Sequence, residues 1–202
     1  MTIAINGSGT ITGVSVGGLP DGIVDEDMLA AGAATQAKRT YAADEIIQVK
    51  STTKTDTASA SCGGGNETAQ WMSLSITPSA TSSKILVLIN ATIGIDAASN
   101  VALRLWINGS TPSAGTGNGD SASSRRYVGS SGYVPDADGR ATIPYSYLHS
   151  PSSTSAQTYG FVTLHWNGSD TRTMYINRSH SDADQTYVHR AVSTITLMEV
   201  AG

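Results

Sequence analysis

Four histidines, one cysteine and two closely spaced aspartate pairs are the residues of this chain whose types could do chemistry. A histidine acts as a metal ligand or proton carrier only with partners at coordinating or hydrogen-bonding distance. His149, His165, His180 and His189 fall in or beside different β-like segments, and no two make an H-x-x-x-H pair. Cys62, alone, can close no intrachain disulfide and build no zinc site by itself. Its string SASCGGGN lacks the basic neighbours that activate a thiol, so it reads as an idle loop cysteine. Asp136/Asp138 in PDADGR and Asp182/Asp184 in SDADQT could offer oxygens to calcium, but the full twelve-residue loop signature is missing. Asp and Gly are ordinary turn formers, so turns are the favoured reading, with a metal at either pair left open. No G-x-S-x-G elbow, phosphate-binding loop or dinucleotide fingerprint occurs. The expectation is a non-enzyme without cofactor.

Recognition is the other chemistry within reach. The stretch 108–141, NGSTPSAGTGNGDSASSRRYVGSSGYVPDADGRA, is long, poor in apolar residues and rich in Gly and Ser. It carries Arg125, Arg126, Tyr127 and Tyr133, a mixture in which Tyr supplies contact area and Ser/Gly supply conformability. The plainer alternative is a surface loop with one short strand around 124–129. In VALRLWI (101–107), Val101, Leu103, Leu105 and Ile107 share one strand face and Ala102, Arg104 and Trp106 the other. With the aliphatic face in the core, Arg104 and Trp106 should point outward or toward a second subunit. Trp71 and Trp166 also fall in candidate strands, where burial or subunit contact is expected.

The elements that would hold these residues are strands. Hydrophobic content is 39%, charged content 14%, and small hydroxylated residues fill the remainder with 21 glycines. Candidate strands run over 46–53, 70–76, 84–95, 101–107, 142–149, 158–166, 171–177 and 191–200, many followed by turn residues. Asn167-Gly168 suits a type I′ turn and predicts a hairpin there. In KILVLINATIGI (84–95) Ile85, Val87, Ile89, Ala91, Ile93 and Ile95 share a face, yet Leu86 and Leu88 on the other are also apolar. Coverage on both sides implies an oligomer contact, or a helix or loop of the same chain. The fold expected for 41–202 is an antiparallel β-sandwich of jelly-roll type.

Residues 1–40 read differently. Gly7, Gly9, Gly13, Gly17 and Gly18 interrupt short extended pieces, so the start should order only against another chain or surface. Residues 21–39 suit a short helix, capped by Asp25 and ending near Lys38 and Arg39. Its narrow apolar side, with Ile23, Met28, Leu29 and Ala33, would contact other copies in a thin bundle or rest on its own domain. The all-β chain thus carries a small N-terminal α/extended segment for attachment and oligomerisation.

Charge and hydropathy exclude other partners. A net charge of −4 and a pI near 5.4 give no footprint for nucleic acid or anionic membrane. The longest apolar run, ILVLI at 85–89, is too short for a bilayer span. MTIAINGSGT has neither the basic nor the apolar region of a signal peptide, so synthesis and assembly in a cytoplasm are expected.

Five strings carry a family resemblance: GTITGVSVGGLPDGIVDEDMLAAGAATQAK, IIQVKSTTKTDT, SITPSATSSKILVLINATIGI, MYINRSHSDAD and STITLMEVAG. In style and order the chain resembles tail-fibre and other virion structural proteins of tailed bacteriophages, especially those of cyanobacteria and aquatic bacteria. The resemblance leaves out 108–141. It implies a homotrimer whose N-terminal part attaches to tail or baseplate proteins while the β domain faces outward toward a host surface, such as a glycan. A capsid decoration (cement) protein is the alternative, and a polysaccharide-degrading enzyme a distant third.

Overall fold

The computed structural model describes residues 4–5, 11–12, 40–63, 66–165 and 170–202. The chain packs as two units, Met1–Thr40 and Tyr41–Gly202. In the first, β1 (Ala4–Ile5) pairs antiparallel with β2 (Ile11–Thr12). The expected helix, with Ile23, Met28, Leu29 and Ala33, lies outside the described residues, as does Trp166.

The second unit is built from antiparallel strands, and no helix occurs among its described residues. In order these are β3 (Ile46–Lys54), β4 (Ala58–Gly63), β5 (Met72–Ile76), β6 (Lys84–Ile95), β7 (Ser99–Ile107), β8 (Ser130–Val134), β9 (Ala141–His149), β10 (Gln157–His165), β11 (Thr171–Ile176) and β12 (Ser193–Val200). The larger sheet runs β3-β12-β6-β11-β4, with β9 along the other edge of β6. The smaller runs β5-β10-β7-β8. Their facing sides share one apolar core, in which Ile85, Val87, Leu103, Leu105, Phe161 and Leu197 are fully buried. The expected antiparallel sandwich forms because alternation in β6, β7 and β12 gives each strand one aliphatic face.

Several local expectations are corrected. The chain passes from β10 in the smaller sheet to β11 in the larger, so these two strands do not pair as the predicted hairpin, and Asn167-Gly168 lies outside the described residues. The type I′ reversal occurs instead at Asn108 (φ 48°) and Gly109 (φ 101°), closed by Ile107 N–H to Ser110 O at 2.9 Å and its reciprocal at 3.1 Å. Cys62 lies in β4 rather than in a loop and is 1% exposed. The stretch 108–141 contains β8 and is not one loop.

Both sides of β6 are covered over Ala91–Ile95, and the cover is the chain's own 177–193 segment. Thr92 O accepts Asn177 N–H at 2.9 Å, and Thr92 N–H donates to Ser193 Oγ at 3.1 Å. A Cβ on Gly94 would stand 2.4 Å from Arg178 O and 3.1 Å from Ser179 Cα. Backbone yields less readily than a side-chain tip, so Gly94→Ala should cost about 1–3 kcal/mol of stability, read as a lower urea midpoint with unchanged m-value.

Leu86 and Leu88 remain half-buried on the outer face of the larger sheet. There Val49, Met198, Leu86 and Leu148 stand in register across β3, β12, β6 and β9. Val49 is 55% and Leu148 46% exposed, so the row is an apolar stripe open to solvent. The next two rows, Ser51-Thr196-Leu88-Ser146 and Thr53-Thr194-Asn90-Pro144, contain no charged side chain.

Near the end of β12, Glu199 is 0% exposed. Its carboxylate accepts Ser79 N–H at 2.6 Å, Ser79 Oγ–H at 2.7 Å and Gln48 Nε2–H at 2.6 Å. Burial pushes its pKa up, but the bonds from Ser79 and Gln48 overcome it and hold the carboxyl below the usual range.

Candidate functional site

The smaller sheet gathers most of the recognition candidates on its outer face. Pairing of β7 with β8 puts Asn100 opposite Tyr133 and Ala102 opposite Ser131. Alternation places these four with Arg104 and Trp106 on the side away from the core residues Val101, Leu103 and Leu105. Tyr133 is 60% exposed, and Trp106 is half-buried.

Arg104 departs from the expectation of an outward contact. It is 8% exposed and donates from NH1 to Glu67 Oε1 at 2.6 Å and from Nε to Tyr127 O at 2.6 Å. Its guanidinium also stacks 4.1 Å from the Tyr127 ring centroid. Thr111 Oγ1–H donates to the other Glu67 oxygen at 2.7 Å. Arg104 therefore ties three segments of its own chain together, and Tyr127 belongs to that tie. Sequence reading missed Glu67 because nothing local marks a partner 37 positions away.

β8 pairs with β7 only as far as Leu103, leaving polar backbone to satisfy beyond it. The connecting segment does this. Gly129 N–H donates to Leu103 O at 2.8 Å, and Leu105 N–H donates to Asn118 Oδ1 at 3.1 Å. Tyr145 O–H donates to Gly117 O at 2.5 Å, and Gly117 (φ 67°) leaves no room for a Cβ against Leu105 and Tyr145. Gly119 N–H donates to Val128 O at 3.0 Å and closes the neck of the loop whose tip carries Arg125.

Arg125 and Arg126 are exposed and stand at a cavity of about 240 Å³. Ala102 of β7, Leu164 of β10 and Val128 give it apolar walls, with Asn100 and Ser131 as polar neighbours. Asn100, Ser131 and Leu164 were not singled out from sequence, since the strand at 130–134 went unseen among its Gly and Ser residues.

Of the remaining chemical candidates, Asp184 and His189 are exposed, and the others are held by structural bonds. His149 Nδ1 lies 2.8 Å from Tyr159 Oη, and burial pushes its pKa down. His180 Nδ1 is 2.7 Å from Tyr175 Oη, and buried His165 lies 2.9 Å from Cys62 O. Asp136 Oδ1 accepts Asp138 N–H at 2.9 Å, Asp138 accepts the Ser181 hydroxyl, and Asp182 takes two bonds from Arg190 at 3.0 and 2.7 Å. The two acidic turns thus meet, yet no three His, Cys, Asp or Glu among the described residues form a metal-holding group.

No family model matches the chain, and no curated protein sequence matches it. Among solved structures it is similar to that of infectious bursal disease virus Gx strain, at TM-score 0.39 and 14% identity over 91% of this chain and 43% of that one. The Gt strain structure gives TM-score 0.38 with 14% identity, covering 91% of this chain and 43% of that chain. The VP2 subviral particle of the same virus gives 0.35 at 14% identity, covering 91% and 42%. The chain spans less than half the length of each.

Proposed function

We propose that this chain is a structural, non-catalytic protein of a tailed-bacteriophage virion, a short tail-fibre or appendage subunit. One observation carries the reading: three of the strings resembling such proteins supply β3, β6 and β12 and a fourth supplies the end of β11, all in the larger sheet. The stretch outside the resemblance, 108–141, lies mainly along the smaller sheet, whose outer face carries the exposed arginines and tyrosine. Scaffold and variable surface are thereby separated. Residues 1–40 attach the subunit to tail or baseplate proteins, and the smaller sheet faces the host glycan.

The subunit acts as a homotrimer, in which the apolar stripe through Leu86 and Leu148 meets a second copy. On one side the stripe is flanked by two uncharged rows, which lets like surfaces approach there without repulsion. Leu148→Lys should shift the solution mass from trimer to monomer while the far-UV spectrum stays that of a folded β domain; an unchanged trimer mass would show that the stripe is not the contact.

The direct test of position is antibody labelling of intact virions viewed by electron microscopy. Label at the tail supports the appendage reading. Label spread over the head replaces it with capsid decoration.

A further inference from the structure

We propose that the cavity between Arg125 and Leu164 binds one sugar residue bearing a carboxylate or phosphate. The proposal rests on the host-facing reading above only for where that sugar comes from. Its chemistry stands on the cavity.

The anion preference follows from Arg125. In a chain of net charge −4, Arg104, Arg172 and Arg190 are each held by a carboxylate of the same chain, and Arg178 donates to the carbonyls of Ser179 and His180. Arg125 has its backbone N–H bound to Ala122 O at 3.1 Å, but no side-chain hydrogen bond or ion pair is present for it among the described residues. Beside it, Arg126 adds a second positive charge at the same mouth. A guanidinium fork matches the two oxygens of a carboxylate or phosphate, which a single ammonium does not.

The walls define the rest of the ligand. Half-buried Ala102 and Val128 offer an apolar surface suited to the C–H face of a pyranose above a floor of buried Leu164 and His165, while Asn100 and Ser131 can bond its hydroxyls. At about 240 Å³ the space lies below the roughly 300–1,000 Å³ of drug-sized pockets, so one sugar ring fits and a longer saccharide must leave it. The position is firm because Leu164 is 2% exposed within its strand and Val128 is fixed through Gly119.

The test is titration of the full chain, followed by NMR, with galacturonic acid, glucose 6-phosphate, glucose and inorganic phosphate. At least one of the two acidic sugars should bind, with glucose and inorganic phosphate each about tenfold weaker or more, a gap of one lost charge-assisted contact. Arg125→Ala should weaken the acidic sugar about tenfold and Arg125→Lys recover part of it. Binding of galacturonic acid alone identifies a uronic-acid source; binding of glucose 6-phosphate alone identifies a phosphorylated saccharide. Equal binding of glucose, inorganic phosphate as tight as the sugar phosphate, no binding of either acid, or indifference to Arg125→Ala in a folded variant would each overturn the proposal. An acidic sugar that binds while virion label sits on the head keeps the site and removes the appendage reading.

Discussion

Glu199→Ala should lower the unfolding free energy by about 2 kcal/mol, because it removes a buried charged acceptor from the Ser79 N–H, the Ser79 hydroxyl and the Gln48 amide at once. The carboxylate lies fully buried, and the Ser79 N–H and Gln48 amide both point at it. Glu199→Gln is milder, since one end of an amide still accepts, but its NH₂ must then face a donor. The pH dependence separates these effects. A carboxyl held below its unfolded value of about 4.3 contributes stability that is fully present above that pH and is lost as pH falls through the lower folded value. Urea midpoints measured from pH 7 down to pH 3 should therefore fall more steeply for the natural chain than for Glu199→Gln. Parallel curves would show that the group titrates alike folded and unfolded.

Arg104→Ala should cost about 3 kcal/mol, the loss expected when one partner leaves a largely buried pair. The Arg104 side chain is 10% exposed and that of Glu67 26%, so added salt should reduce the effect little. Arg104→Lys retains the charge, yet one ammonium cannot replace the Nε bond to Tyr127 O, the NH1 bond to Glu67 and the stacking on the Tyr127 ring together. It should recover less than half of the loss. Because Tyr127 is released in both variants, limited proteolysis should cut within 119–127 sooner than in the natural chain. Unchanged cleavage would mean that Gly119 and Asn118 hold the loop without Arg104.

Strand content was legible where alternation was strong. Lys84–Ile95 has the bounds that its apolar pattern predicts, and the core face of β7 is the aliphatic one. The strand Ala58–Gly63 was not legible, because ASASCG offers no apolar alternation and gains its order from pairing with β11, more than a hundred residues later. The same limit applies to Arg104. Its strand face could be read, but whether that face meets water or Glu67 depends on where residues 66–71 return beside β10. At the candidate site, Arg125, Arg126 and Tyr133 were legible as types in a polar segment. The cavity walls were not, since Leu164 and Ala102 look like any core residues until two strands are set side by side.

Gly119 and Val128 close a neck, and strong anchors of the loop lie at or beside it: Gly117, Asn118 and Gly129 on the β7 edge, Tyr127 on Arg104. Positions 120–125 form the tip beyond those anchors. Their identity can drift, or a foreign peptide can be spliced between them, while the core that folds the domain stays the same. The sandwich is in that sense a mount with an interchangeable tip, on which new binding chemistry could be selected without renegotiating the fold.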